Sequence, residues 1–181
     1  KSTFSNLFSI TEYNNKLLVT GYNLGTKISD ENGEIWNQLS KELDSIEISP
    51  VTFSISDGLF FGQKYMSNEL IFSEDAISWK VFDNPSNALI KKQEIWNRNL
   101  FFFVNQDLYK STDYGDSWVI IESLISDKGF PPIITTTSVV NDEFFVGTDG
   151  AGIYYSSSNG EDWIRTNFSD EIYKQSKVTK I

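Results

Sequence analysis

The chain has 181 residues, 39% of them hydrophobic and 15% aromatic, which is enough apolar material for one sizeable core. Its net charge is −10 and no basic run is longer than Lys91-Lys92, so nucleic acid is not an expected partner, because phosphate binding depends on Lys and Arg. There is no apolar stretch long enough to cross a bilayer, no signal-peptide pattern at the start, and no Cys or His. The composition therefore excludes disulfides, thiolate catalysis and the commonest metal ligand.

Strand-like segments follow one another along the chain in four groups of four. Runs of β-branched and aromatic residues, separated by Asn, Asp and Gly turn signals, identify them. The predicted strands cover 7–13, 16–22, 26–29 and 35–39; 50–56, 59–63, 69–73 and 78–82; 88–96, 100–104, 108–111 and 117–121; and 133–140, 143–148, 152–156 and 162–166. This pattern predicts one all-β domain with repeats at about 4–40, 48–83, 86–122 and 131–168, and residues 176–181 alternate like the first strand of a further repeat.

A tryptophan recurs in each group, 43, 39 and 45 residues after the previous one, and a related run of residues precedes each. We call the segments 29–36, 73–79, 111–118 and 156–163 the tryptophan turns. The third fits the pattern S-x-D-x-G-x-[ST]-W throughout, the first has Glu31 at the acidic position, the fourth has Ser158 there, and the second is one residue short and lacks Gly. The matching positions are Ser29, Gly33 and Trp36; Ser73, Asp75 and Trp79; Ser111, Asp113, Gly115 and Trp118; and Ser156, Gly160 and Trp163.

Each residue type in this pattern has a physical role in a hairpin. The Asp carboxylate accepts backbone N–H bonds, and the Gly can adopt the positive φ that a tight turn needs. The Trp then begins the next strand as a large apolar anchor whose N–H finds a carbonyl partner. We expect a different, tighter turn at 73–79.

The pattern and its spacing resemble the Asp-box, or BNR, repeat of sialidase-like proteins. That resemblance implies a β-propeller of four-stranded antiparallel blades. About four blades fit in this chain, and Asp-box families generally use more, so we expect these blades to be part of a larger ring, or two copies to associate and complete it. An extracellular or cell-envelope location is also expected from the resemblance.

Catalysis finds little support in the residue types. Sialidases hold their substrate with three arginines, whereas this chain has only Arg98 and Arg165. Xyloglucanase-type Asp-box enzymes use two Asp carboxylates, for which Asp107 and Asp149 are the least unsuitable candidates, although loop Asp residues usually cap turns. An EF-hand aligned on Gly33 would place Ile28 and Leu39 at ligand positions, and we predict neither a metal site nor a cofactor.

The remaining expectation is surface recognition. Loops between second and third strands, together with the connections between repeats that contain Asn84 and Phe130, should emerge opposite the tryptophan turns and form the binding surface. Tyr together with Asn or Asp suits proteins and sugars, since rings supply contact area and polar groups supply direction. The predicted ligand-binding residues are Tyr22, Asn23, Lys64, Tyr65, Asn105, Asp149 and Phe130. The preferred hypothesis is a non-catalytic module that binds protein or glycan, as the resemblance to sortilin-type receptors and photosystem assembly factors implies; the alternative is part of a sialidase-like or xyloglucanase-like glycoside hydrolase.

Overall fold

The structure is a computed structural model that describes residues 7–21, 24–40, 43, 52–64, 67–121 and 132–166. These residues form sixteen strands in four antiparallel sheets, and in each sheet the strands pair in chain order. The first sheet contains β1 (Leu7–Tyr13), β2 (Lys16–Gly21), β3 (Gly25–Ser29) and β4 (Trp36–Gln38); the second contains β5 (Thr52–Ser56), β6 (Leu59–Gln63), β7 (Glu69–Ser73) and β8 (Lys80–Asp83). The third contains β9 (Lys92–Trp96), β10 (Asn99–Val104), β11 (Asp107–Ser111) and β12 (Val119–Ile121); the fourth contains β13 (Ile134–Val140), β14 (Glu143–Thr148), β15 (Ile153–Ser156) and β16 (Ile164–Arg165).

The observed strands confirm the predicted all-β fold of four-stranded antiparallel sheets. Each overlaps a predicted strand, and each sheet lies within one predicted repeat. The largest difference is at β9, which was expected to begin at residue 88 and begins at Lys92; it follows a turn at 84–87, where Asn87 N donates to Asn84 O. The predicted strand at 176–181 lies outside the described residues. No helix in the described part of the chain is both long and apolar enough to span a membrane.

Four two-residue turns connect the first and second strands of the sheets. Both residues of each turn have positive φ, and only the second turn uses a glycine: the pairs are Asn14-Asn15, Asp57-Gly58, Asn97-Arg98 and Asn141-Asp142. This is the backbone shape whose twist matches that of the flanking strands. The sequence had suggested three turn residues at 97–99, but Asn99 pairs with Trp96 and belongs to β10.

The chain divides into two compact units, Lys1–Asn87 and Ala88–Ile181, each holding two sheets with a core between them. The first core includes Leu18, Phe53, Phe60, Ile71 and Trp79. The second includes Trp96, Phe101, Phe103, Phe144 and Tyr154. Trp96 is the tryptophan that belongs to none of the tryptophan turns, and its Nε1 donates to Asp142 O, 3.1 Å away, on the next sheet.

Alternation along the second strand of each sheet determines which side chain faces which neighbour. In the second unit, Phe101 of the third sheet meets Phe144 of the fourth with ring centroids 4.9 Å apart. Phe144 pairs with Ser156, the serine that opens its tryptophan turn, whereas Phe101 follows Leu100, the partner of Ser111. Within each unit, the residue opposite the opening serine of the later sheet therefore faces the earlier sheet, and the residue that follows the serine's partner in the earlier sheet faces the later one.

Candidate functional site

Because the sheets are antiparallel, each has two distinct ends. The turn end carries the tryptophan turns and the two-residue turns, and the loop end carries the connections between second and third strands.

The third tryptophan turn shows the full hydrogen-bonding pattern. Ser111 Oγ accepts the N–H of Gly115 at 2.8 Å and donates to Asp113 Oδ1 at 2.8 Å. The Asp113 carboxylate also accepts the amide and the hydroxyl of Ser117, at 2.9 and 2.5 Å. The Ser117 hydroxyl and amide and the Ser111 hydroxyl lower the pKa of Asp113 to about 2. This carboxylate is therefore occupied in closing the turn.

The fourth turn keeps the shape with a neutral side chain. Ser158 takes the place of the aspartate, and its Oγ accepts the N–H of Asp162 at 2.8 Å. Ser156 Oγ accepts the N–H of Gly160 at 3.0 Å, like its counterpart in the third turn. The geometry thus depends on an acceptor at this position, and a hydroxyl suffices.

The second turn is one residue shorter, as its sequence predicted. Ser73 Oγ accepts the N–H of Ala76 at 2.9 Å, and Ala76 adopts the positive φ of 60° that glycine has elsewhere. Asp75 Oδ1 accepts the N–H groups of Ser78 and Ile77, at 2.7 and 2.8 Å, and these bonds lower the pKa of Asp75. The opening serine therefore accepts a turn N–H here as in the third and fourth turns, without the glycine.

The first turn departs from the expectation at its acidic position. Asp30, not Glu31, supplies the carboxylate, since Asp30 Oδ1 accepts the N–H of Glu34 at 2.9 Å. Desolvation acts to raise the pKa of Asp30, but N–H donors led by that of Glu34 outweigh it and lower this pKa. Ser29 Oγ accepts the N–H of Leu17 at 2.8 Å, so it bonds the neighbouring strand as well as its own turn.

The four tryptophans differ in burial more than their sequence context suggests. Trp79 is 8% exposed and packs against Phe53 and Phe60, whereas Trp36 is 40% exposed. Trp163 is half-buried against Phe144, with ring centroids 5.7 Å apart. The indole N–H groups of Trp36 and Trp163 donate to the carbonyls of Gly33 and Gly160 in their own turns. The expectation of a buried anchor is therefore wrong for Trp36.

The loop end of the second unit brings three predicted site residues together. Ile134 N donates to Asn105 O at 3.1 Å, which ties the third sheet's loop to the first strand of the fourth sheet. One residue earlier, Ile133 O accepts the N–H of Asp149 at 2.9 Å. Asn105, Asp107 and Asp149 are all exposed at this end. They form a polar surface with the exposed Gln106, which we call the unit-2 loop surface.

In the first unit, the loop end holds Lys64 in an ion pair that sequence reasoning missed. Lys64 Nζ lies 2.8 Å from Glu69 Oε2, and the Ser67 hydroxyl donates to the same oxygen at 3.1 Å. The hydrogen bond with Lys64 lowers the pKa of Glu69. Lys64 and Glu69 flank one hairpin, in which Lys64 N donates to Glu69 O, so the antiparallel register of β6 and β7 was the signal that could have revealed the pair.

Other predicted loop-end residues fall into two groups. Tyr22, Asn23, Tyr65 and Phe130 lie outside the described residues, and their binding role stays a prediction. Asn84 had been expected on the exposed surface, but it is buried, and its Oδ1 accepts the amide and the hydroxyl of Ser86. It shapes a turn instead.

The two arginines lie apart from any sialidase-like arrangement of three. Arg98 is at the turn end, where its Nη2 donates to Tyr114 Oη at 2.8 Å. Arg165 lies on the outer strand β16, and its side chain runs beside Gly152. Among the described residues, no group of three or more acidic side chains is arranged to hold a metal ion.

Comparison with known proteins identifies the architecture through structure alone. No protein-family model matches the chain, and no curated protein matches its sequence. YCF48 bound to D1 peptide matches with a TM-score of 0.69 and 12% identity, over 95% of this chain and 57% of that one. Virginiamycin B lyase from Staphylococcus aureus, in a catalytically inactive form with quinupristin, matches with a TM-score of 0.61 and 14% identity, over 93% of this chain and 58% of that one. Both are β-propellers. This chain has a β-propeller fold.

A third propeller adds a catalytic class to the comparison. The GH74 xyloglucanase from Xanthomonas campestris matches with a TM-score of 0.55 and 15% identity, over 84% of this chain and 29% of that one. The four sheets of our chain are blades, and the chain spans less than two thirds of the length of each of these propellers.

Proposed function

We propose that this chain is a non-catalytic β-propeller module of the Asp-box type that binds a protein partner at its loop end. The observation that carries the proposal is the structural likeness to YCF48 in a peptide complex, which extends over 95% of this chain. Propellers host both binding proteins and enzymes, so the chemistry of the surface has to support the choice.

The unit-2 loop surface is suited to polar recognition of an extended chain. Asn105 and Gln106 offer amide donors and acceptors, and Asp107 and Asp149 add exposed acceptors. The cross-blade bond from Ile134 N to Asn105 O and the bond from Asp149 N to Ile133 O within the fourth blade fix the loops before a ligand arrives, which reduces the ordering entropy that binding costs. Sugars offer similar hydroxyl chemistry, and a glycan is the second ligand class that this surface fits.

At the turn end, by contrast, three carboxylates already accept hydrogen bonds within the protein. Asp113, Asp75 and Asp30 accept hydrogen bonds from their own turns. We therefore assign these carboxylates to the Asp-box role of closing hairpins.

A selection with a matched pair of variants tests the proposal. Random 12-residue peptides displayed on phage would be selected on the intact chain, and their affinities measured for Gln106→Ala and Asp149→Ala, with Glu161→Ala at the turn end as control. We expect the first two to weaken binding about tenfold, the cost of a well-placed polar contact, and the control to bind like the parent. Peptides that bind all three variants equally, or a selection that yields none, would contradict a loop-end peptide site.

A glycoside hydrolase is the second candidate, favoured by the GH74 match and by the exposure of Asp107 and Asp149 at one end of the second unit. Two such carboxylates act as acid and base in inverting enzymes when they stand about 6.5–9.5 Å apart. Release of reducing ends from xyloglucan, abolished by Asp107→Asn or Asp149→Asn, would establish this function in place of ours. We expect no release.

Two further assignments belong to the proposal. We infer an extracellular or cell-envelope location, which fractionation of the source cells followed by immunoblotting would test. We also infer that these four blades belong to a larger ring. Either further blades or a second copy of the chain would complete it.

A further inference from the structure

Three backbone hydrogen bonds join four exposed residues across the loop end of the second unit. Lys91 N donates at 3.1 Å to the carbonyl that lies two residues before Asn105 on the second strand of the third blade. Ile134 N donates to Asn105 O at 3.1 Å, and Ile133 O accepts the N–H of Asp149 at 2.9 Å. The order across this end is therefore Lys91, Asn105, Ile133 and Asp149, and all four are exposed. We call these four residues the loop-end row.

The loop-end row has opposite charges at its two ends. Among the described residues, neither Lys91 nor Asp149 has its side chain in an ion pair, whereas the next lysine in the chain, Lys92, pairs with Glu94 at 3.0 Å. Neighbouring strands are about 4.8 Å apart, so three such steps separate the two ends of the row by about 10–15 Å. The cation and the anion are therefore both available to a ligand.

The middle of the row is uncharged and is not symmetric. The amide side chain of Asn105 can both donate and accept hydrogen bonds. Ile133 is 42% exposed and is bonded through its carbonyl to Asp149, so the apolar side chain belongs to the anionic half of the row. A ligand that matches a cation, an amide, an apolar group and an anion in this order can do so with only one order of its own groups.

We propose that the loop-end row selects its peptide partner by charge order, an inference that rests on the proposed function. The bound segment carries an acidic residue for Lys91 and a Lys or Arg for Asp149, with an apolar residue beside the basic one to cover Ile133. An extended peptide advances about 3.3 Å per residue, so charges about three to five residues apart span the row. The opposite charge order would bring like charges together, which selects against such partners. The net charge of −10 alone would favour any basic peptide, and the exposed Lys91 adds the acidic requirement.

Two phage libraries of displayed peptides with the same fixed composition test the charge order. One library has Glu-x-x-Leu-Lys at its centre and the other has Lys-x-x-Leu-Glu, with all remaining positions random. Both are selected on the intact chain and on a variant in which the charges of the row are exchanged, Lys91→Glu with Asp149→Lys. The matched control makes the same exchange at the turn end, Lys16→Glu with Glu161→Lys. Neither exchange alters the net charge, and circular dichroism would verify that both variants fold.

The parent and the control should enrich the first library about tenfold over the second, because each of two exposed ion pairs contributes about threefold in affinity. The charge-exchanged variant should prefer the second library. Lys91→Gln and Asp149→Asn should each weaken a first-library binder about threefold, since each removes one charge and keeps a polar side chain.

Equal enrichment of the two libraries by the parent, or a charge-exchanged variant that keeps the parent's preference, would overturn the charge order. If the selected peptides are then still weakened by Gln106→Ala, the loop-end site of the proposed function stands without it. Failure of both libraries to yield any binder would contradict the charge order and the peptide site together.

Discussion

The first and fourth tryptophan turns have the same length and the same Ser, Gly and Trp positions, yet only the fourth is built into a neighbouring blade. Gly160 lies against the third blade, where an added Cβ would stand 2.9 Å from Ile121 Cδ1. The equivalent Cβ at Gly33 would meet nothing nearer than 3.9 Å, and Trp36 remains exposed. The local pattern therefore determines the shape of the turn, and the adjacent blade determines how much stability the turn contributes.

Replacing the two glycines gives the largest expected contrast. Gly160→Ala places a side chain at φ +81° and overpacks Ile121 and Phe101, so we expect about 2–4 kcal/mol of destabilisation. Gly33→Ala has only the backbone cost at φ +74° and should lose about 1 kcal/mol. Urea unfolding measures both, and equal losses would show that the neighbouring blade contributes nothing at this position.

Replacing the tryptophans of the same two turns should give a smaller difference in destabilisation. Trp163→Ala removes a half-buried ring from the Phe144 cluster and should cost about 2–3 kcal/mol. Trp36→Ala removes a ring that is 40% exposed and should cost about 1 kcal/mol in the monomer. The thermal midpoints of both variants, taken at low protein concentration, check this; a larger loss for Trp36→Ala would contradict the role of blade contact.

A buried lysine of the third blade also joins the fourth turn to its neighbouring blade. Lys110 is 8% exposed, and its Nζ donates to Asn159 O in the fourth turn at 2.7 Å, across the two blades. Lys110→Met leaves that carbonyl without this donor and should cost about 1–2 kcal/mol. Lys16→Met, at the start of β2, is the matched control and should stay within about 0.5 kcal/mol of the parent in urea unfolding. If Lys110→Met leaves the free energy of unfolding unchanged, solvent replaces the hydrogen bond to Asn159 O.

The smallest expected effect separates the third turn from the fourth by pH. The folded pKa of Asp113, about 2, lies below its ordinary value of 3.8, so its charge stabilises the fold above about pH 4, and this contribution is lost as the pH falls toward 2. The stability difference between the parent and Asp113→Asn should therefore shrink over that range. Ser158→Ala in the fourth turn should show a difference from the parent that is independent of pH. Denaturant midpoints between pH 2 and 6 decide it, and a constant difference for Asp113→Asn would be inconsistent with the lowered pKa.

Local chemistry accounts for what sequence reasoning predicted correctly. The strands were located from turn residues such as Asn14-Asn15 and Asp57-Gly58 and from the runs of β-branched and aromatic residues on either side of them. This succeeded because a hairpin's register follows from residues that are close in the chain. The serine of each tryptophan turn was identified for the same reason. Choosing Asp30 over Glu31 was not possible from the sequence, since the two carboxylates are adjacent in the chain and only the folded backbone of the turn brings that of Asp30 to the Glu34 N–H.

The sequence by itself determined four antiparallel sheets, their turns and the end of each sheet at which its loops emerge, since those depend on contacts between near neighbours in the chain. Only the tertiary structure decided that Trp36 is exposed while Trp79 is buried, and that Asn105 and Asp149 are joined through Ile133 and Ile134. Burial and cross-blade bonds depend on which surface a neighbouring sheet presents, and residues distant in the chain supply that surface.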